Sequence, residues 1–154
     1  MKKSRCPNDS ELQMIPVFDE VEGRDLGLLQ QFTEVIDYSA GLSMFREGGD
    51  GDAMFFILRG EVDIKKSSIS GEEILLATLG KGTVLGEMSL VDNAPRSATA
   101  VAKTDIELVV LRKDSFFSLV EDHPRPACKI LLKLLRTLSL RLRQVDSRVA
   151  DINK

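Results

Sequence analysis

The chain has 154 residues, 43% of them hydrophobic and 29% charged, and a formal net charge of −3 at pH 7. That length fits one ordinary domain with a real core, and no apolar run approaches the length of a membrane span. The acidic balance argues against a dedicated nucleic-acid binder, whose phosphate contacts need a basic surface. Cys6 and Cys128 stand far apart, and His123 is the single histidine. A disulfide framework and a metal site built from several imidazoles are therefore not expected, and free thiols fit a reducing compartment. Met1-Lys2-Lys3 is basic, but polar residues 4–9 follow where a secretory signal needs an apolar core, so a cytoplasmic location is expected.

In chain order, residues 1–10 are polar and read as a flexible tail. Leu12, Ile15, Val17 and Phe18 predict a short helix or anchored turn, and Leu26, Leu29 and Phe32 repeat at helical spacing over 24–32. Short strands broken by glycine come next: 35–38, 42–46, then the turn-rich run 47–52. Over 58–65, Leu58, Val62 and Ile64 alternate with Arg59, Glu61, Asp63 and Lys65, the pattern of one half-buried strand. A hairpin at 67–71 leads into 74–79, and strands at 99–102 and 106–111 follow. This spacing predicts a mainly β fold with flanking helices, its antiparallel sheet rolled or closed. Asp114 is placed to cap a short helix through Phe116, Phe117 and Val120. From about Arg125 to Ile152 the pattern is one long helix, entered at Pro124 and Pro126. Its first half has a broad apolar face; its second keeps a narrow stripe of Leu142, Val145, Val149 and Ile152. A broad face packs on a domain and a narrow one on another helix. The expected division is thus 1–10 tail, 11–123 β-roll, and 124–154 a helix for dimerisation or for closing the site. A helix folded back on its own domain is the alternative.

Residues 82–100 carry the chemistry. Gly86 lets the backbone leave a strand and approach a ligand closely. Glu87 to Leu90 suit one helical turn, whose unpaired N–H groups attract an anion. Asp92-Asn93-Ala94-Pro95 returns the chain, and Arg96 enters a strand of small and apolar residues. An inward arginine there needs a partner, and a phosphate suits its two-pronged donor geometry. Beside a phosphate Glu87 makes sense as an acceptor for a sugar hydroxyl, and Ser97 as a donor. Those requirements describe a ribose cyclic phosphate. An internal Arg96–Glu87 ion pair, with the glycines making turns only, explains the same residues without a ligand.

Gly86-Glu87-Met88-Ser89-Leu90 and Pro95-Arg96-Ser97-Ala98 resemble, in order and spacing, the signature of the cyclic-nucleotide-binding domain family. The resemblance extends through Phe45-Arg46-Glu47-Gly48, residues 55–62 and Leu79-Gly80-Lys81-Gly82 to the terminal helix. It implies the β-roll of catabolite activators and protein-kinase-A regulatory subunits: an antiparallel, jelly-roll-like double-stranded β-helix, a short phosphate-binding helix and a long C-terminal helix. It further implies that Arg96 binds the exocyclic phosphate oxygens and Glu87 the ribose 2′-hydroxyl, with amides near Met88, Ser89, Ser97 and Ala98 assisting. Ile64, Leu76, Ala77 and Val84 fall at the pocket wall. Some activators of the family cap adenine with a Thr-Ser pair on the long helix. Val145 and Asp146 stand at those positions here, so with Leu142 they are the candidate base-lid residues. Ser97 suits cAMP better than cGMP, since members preferring cGMP often have Thr there.

No cofactor, metal or catalytic residue is expected. His123 lies in a helix-end loop, where an exposed or capping role suits it better than catalysis. No Gly-rich loop ending in Lys-Ser/Thr is present. The basic residues of the long helix read as flanking charges of a coiled coil rather than a DNA surface. No DNA-reading segment is expected, nor a nucleic-acid or membrane partner. The expected partners are a cyclic nucleotide, a second copy through the C-terminal helix, and an unidentified effector protein. The function expected is a non-catalytic sensor of cAMP, with cGMP the second choice; the alternative is a ligand-free roll serving as an interaction or dimerisation module.

Overall fold

The computed structural model describes residues 4–152, the side chains of Ser89 and Leu90 excepted. In order they form Ser4–Arg5 (β1), Asp9–Gln13 (α1), a 3-10 turn at Pro16–Phe18, Arg24–Phe32 (α2), Thr33–Tyr38 (β2) and Ser43–Phe45 (β3). Next come Ala53–Arg59 (β4), Val62–Ser67 (β5), Glu73–Leu79 (β6), Val84–Leu85 (β7) and Glu87–Asp92 (α3). Thr99–Ala102 (β8), Ile106–Arg112 (β9), Lys113–Asp122 (α4) and Pro124–Ile152 (α5) complete the chain. All the strand pairings are antiparallel, in two sheets ordered β1-β2-β9-β4-β7 and β3-β8-β5-β6. This is the expected β-roll with its short and long helices.

Two-residue periodicity in β4 and β9 makes two cores from one sheet. Ala53, Phe55 and Ile57 point between the sheets, where they meet Ile36, Val62, Leu85, Ala100 and Leu108. Met54, Phe56 and Leu58 point the other way, into a layer built by Leu12, Phe18, Leu29, Leu119 and Ile130 of the helices. The Phe18 and Phe56 rings lie 4.7 Å apart between centroids. Burying such a side chain contributes roughly 1.5–3 kcal/mol, so both faces of β4 are fixed and the loops at its ends start from a rigid frame.

The run 58–65 is not one strand. Gly60 turns at φ +90°, and a Cβ there would lie 2.4 Å from the Asp105 carbonyl oxygen. The alternation carries on across that turn, so Leu58 belongs to one sheet while Val62 and Ile64 belong to the other. Periodicity alone does not reveal a change of sheet. The polar residues from 4 onward are also held. Ser4–Arg5 pairs with β2, and Asn8 caps α1 in a capping box with Glu11. Arg5 donates to both Glu11 oxygens, which holds that carboxyl down at about 2. Asp114 sits in the first turn of α4 but does not cap it; Arg112 is the N-cap and provides no side-chain hydrogen bond. α5 packs Pro126, Ala127, Ile130 and Leu134 inward, whereas residues 139–152 are exposed along their whole length.

Candidate functional site

Among the described residues, Arg96 is the only buried arginine, at 3% exposure. Two backbone bonds pin its position, Arg96 N–H to Gly49 O and Gly48 N–H to Arg96 O, both 2.8 Å. The glycine-rich turn 47–52, legible in the sequence as a turn only, is thus the brace for the site. Nη1 of the guanidinium donates to Gly86 O at 3.1 Å and Nη2 to Ala53 O at 2.6 Å. Nε is buried and has no partner. Two of five N–H groups are used, leaving three. The Phe45 ring lies 4.3 Å from the guanidinium carbon, a cation–π contact. Burial pushes the pKa of Arg96 down, against the raising influence of Asp52 and Glu87.

Gly86 has φ +78°, and a Cβ added to it would lie 2.1 Å from Arg96 Nη1. Only glycine lets this guanidinium lie against the backbone at the start of α3. Asn93 ends α3 in the left-handed conformation, and Lys113 of α4 donates to its side-chain oxygen.

The internal Arg96–Glu87 pair is not formed. The carboxylate nearest Arg96 is that of Asp52, 3.8 Å away on a side chain that is 77% exposed. Glu87 is buried and accepts instead from Nη1 of Arg141, on α5, at 2.5 Å. The sequence reading did not single out Arg141, and nothing local sets it apart from the other basic residues of that helix.

A cavity of about 260 Å³ opens between these groups, bounded by Phe45, Ile64, Leu79, Val84, Leu85, Gly86, Glu87, Met88, Arg96, Ser97, Ala98 and Arg141. Eight expected residues are therefore brought together: Gly86, Glu87, Met88, Arg96, Ser97, Ala98, Ile64 and Val84. Ser89 lies outside the described side chains. Leu76 is exposed, Ala77 is half-buried, and neither lines the cavity. Pairing jumps from Ile64–Ala77 to Lys65–Leu75, leaving Leu76 as the bulged residue of an edge strand. Phe45, Leu79 and Leu85 line the wall as well. Leu142, Val145 and Asp146, the candidate base-lid residues, are exposed and lie off the cavity wall. His123 caps the end of α4, edge-on to Phe32, and is not at the cavity.

An apolar-walled cavity with one buried cation and one buried carboxylate suits a small ligand bearing an anion and a hydroxyl. A family model described as "Cyclic nucleotide-binding domain" matches residues 35–123, more than half of the chain. The chain belongs to the cyclic nucleotide-binding domain family. It is 31% identical over 144 residues to a CRP-like cAMP-activated global transcriptional regulator of Mycobacterium tuberculosis, covering 94% of this chain and 62% of that protein. With the cAMP-dependent protein kinase regulatory subunit of Aspergillus niger it shares 32% identity, over 75% of this chain and 28% of the subunit. The crystal structure of a cyclic nucleotide-binding domain from Methylobacillus flagellatus superposes with a TM-score of 0.84 at 27% identity, covering 97% of this chain and 88% of that one. The chain thus spans less than two thirds of either curated relative.

Proposed function

We propose that the chain is a non-catalytic sensor that binds cAMP in preference to cGMP, through Arg96 on the phosphate and Glu87 on the ribose hydroxyl. The observation that carries this reading is the buried guanidinium of Arg96, with three N–H groups left over and no buried carboxylate paired to it. Gly86 supports it by letting that group approach the backbone at the cavity mouth. Amides of Met88, Ser89, Ser97 and Ala98 complete the phosphate contacts. Ile64 and Val84 pack on the sugar and base from the wall.

The Glu87–Arg141 pair makes α5 the element that responds. A ribose hydroxyl donating to Glu87 competes with Arg141 and changes the hold on the helix. A ligand shifts such an equilibrium only by its different affinity for the two positions. We assign 124–154 to this responding helix and to a homodimer contact, 11–123 to the ligand-binding roll, and the response to a cytoplasmic effector protein.

Isothermal titration of the full chain with cAMP, cGMP and 5′-AMP tests this. Binding of cAMP tighter than cGMP, with no heat from 5′-AMP and cAMP recovered unchanged, is the expected result. Lack of binding by either cyclic nucleotide at millimolar concentration would leave a scaffold roll in place of a sensor.

A further inference from the structure

The segment 96–99 is fixed by backbone bonds at its two ends. Arg96 is held by Gly48 and Gly49, and from Thr99 onward the chain pairs with β5, with Lys65 opposite Thr99. Ser97 and Ala98 lie between, outside any strand, and no hydrogen bond of the Ala98 N–H is found among the described residues. A peptide in that setting keeps its soft dihedrals and can turn its polar groups either way. One side chain reaches it. Lys66 follows Val62 and Ile64 on the same face of β5, and Ile64 lines the cavity. Nζ of Lys66 donates to Ser97 O at 3.0 Å. The Glu47 carboxylate, 4.0 Å from that Nζ, is itself held by the Ser67 N–H at 3.0 Å, and the Glu47 N–H donates to Thr99 Oγ1 at 2.9 Å. Glu47 and Lys66 thus form a brace between the turn 47–52, β5 and the start of β8.

We infer that Lys66 is a positioning residue for the ligand's phosphate, acting through the Ser97–Ala98 peptide. The inference rests on the cyclic-nucleotide reading above and adds a residue that lies outside the segment 86–98. Ser97 O and the Ala98 N–H belong to one trans peptide unit, so they point in opposite directions. Anchoring the oxygen on Lys66 fixes the plane of that peptide and leaves the N–H on its other side as an aimed, unspent donor. An ammonium on the oxygen also polarises the peptide, which strengthens its N–H toward an acceptor. Ala98 lines the cavity, where a phosphate oxygen is that acceptor. Without Lys66 the peptide is competent for only part of the time, and the apparent affinity falls by that fraction.

Isothermal titration of the full chain with cAMP and with its two phosphorothioate diastereomers, in which sulfur replaces one or the other exocyclic oxygen, tests this. Lys66→Met keeps the length of the side chain and removes its charge and donors. It should bind cAMP about tenfold more weakly, as for a competent fraction of about one tenth. Sulfur accepts hydrogen bonds less well than oxygen, so the wild-type chain should discriminate between the diastereomers and Lys66→Met should bring their affinities together. Lys66→Arg should recover most of the loss, because a guanidinium also donates to a carbonyl. Isotope labelling of alanine nitrogen reads the free protein by NMR: in Lys66→Met the Ala98 amide signal should move while that of Ala102, inside the β8 ladder, stays. A Lys66→Met chain that binds cAMP within twofold of wild type overturns the inference and leaves the cAMP reading standing. So does a loss of affinity with the Ala98 signal unmoved, which gives Lys66 to the ligand directly. A wild-type chain that binds neither cAMP nor cGMP removes both.

Discussion

Replacing Arg96 with Leu separates binding from folding, and the structure sets the size of each effect. The folded chain loses two charge-assisted hydrogen bonds, to Gly86 O and Ala53 O, and the contact over Phe45. At about 1.5 kcal/mol or more for each bond and about 1 for the ring, the loss is about 4 kcal/mol. Against it stands the relief of removing a buried cation, itself several kcal/mol, together with the apolar burial of Leu. The two nearly cancel, so urea denaturation should place the variant within about 1.5 kcal/mol of wild type. Nothing cancels in the complex, where the phosphate loses its two-pronged donor. The expected loss is about 2–4 kcal/mol, or about 30- to 1000-fold in cAMP affinity by calorimetry. Arg96→Lys should recover only part of this, since an ammonium keeps the charge but not the fork. A folded Arg96→Leu variant that binds cAMP within threefold of wild type would refute the assignment of this side chain to the ligand.

Two further outcomes follow from the same geometry. Gly86→Ala puts a Cβ 2.1 Å from Arg96 Nη1 at φ +78°, so stability should fall by about 1–2 kcal/mol in thermal unfolding and cAMP affinity by at least tenfold as the guanidinium is displaced. Glu11, held at about 2 by Arg5, supports folding above the usual carboxylate range and loses that support as pH falls from about 4.5 through 2. After allowance for solvent screening of the half-exposed Arg5, the contribution is about 1 kcal/mol. Urea titrations across that range should show it missing from Glu11→Gln.

The pocket was legible where its chemistry is compressed into one segment. Gly86, Glu87 and Arg96 lie within eleven residues, and each is of a type that its backbone or burial demands. Contributions from distant segments were harder to see. Arg141 lies 54 residues beyond Glu87 on a helix with many exposed cations, and only the path of α5 over the roll selects it. Leu76 shows the opposite failure: the family resemblance put it on the wall, but one bulge in β6 leaves it exposed at the sheet edge. Gly60 hid a change of sheet, since a tight turn can preserve the period of two while moving the strand to a new neighbour.

Arg96 also explains why ligand and fold should be coupled. Its partners are neutral carbonyls and an exposed aspartate, so the free protein carries the desolvation cost of a cation with weak compensation. On the proposed reading, a bound phosphate would supply the missing counter-charge in the same place. Its binding energy then adds directly to the stability of the native state, by about 2.7 kcal/mol at one hundred times the dissociation constant. The segment that stabilises is the one joining β7, α3 and β8, and it touches α5 through Glu87 alone among the ion pairs of the described residues. On the proposed reading, that single contact is where the ligand would gain leverage on the helix. A side chain that merely filled the pocket would stabilise the roll without moving α5, whereas one that competes at Glu87 must do both.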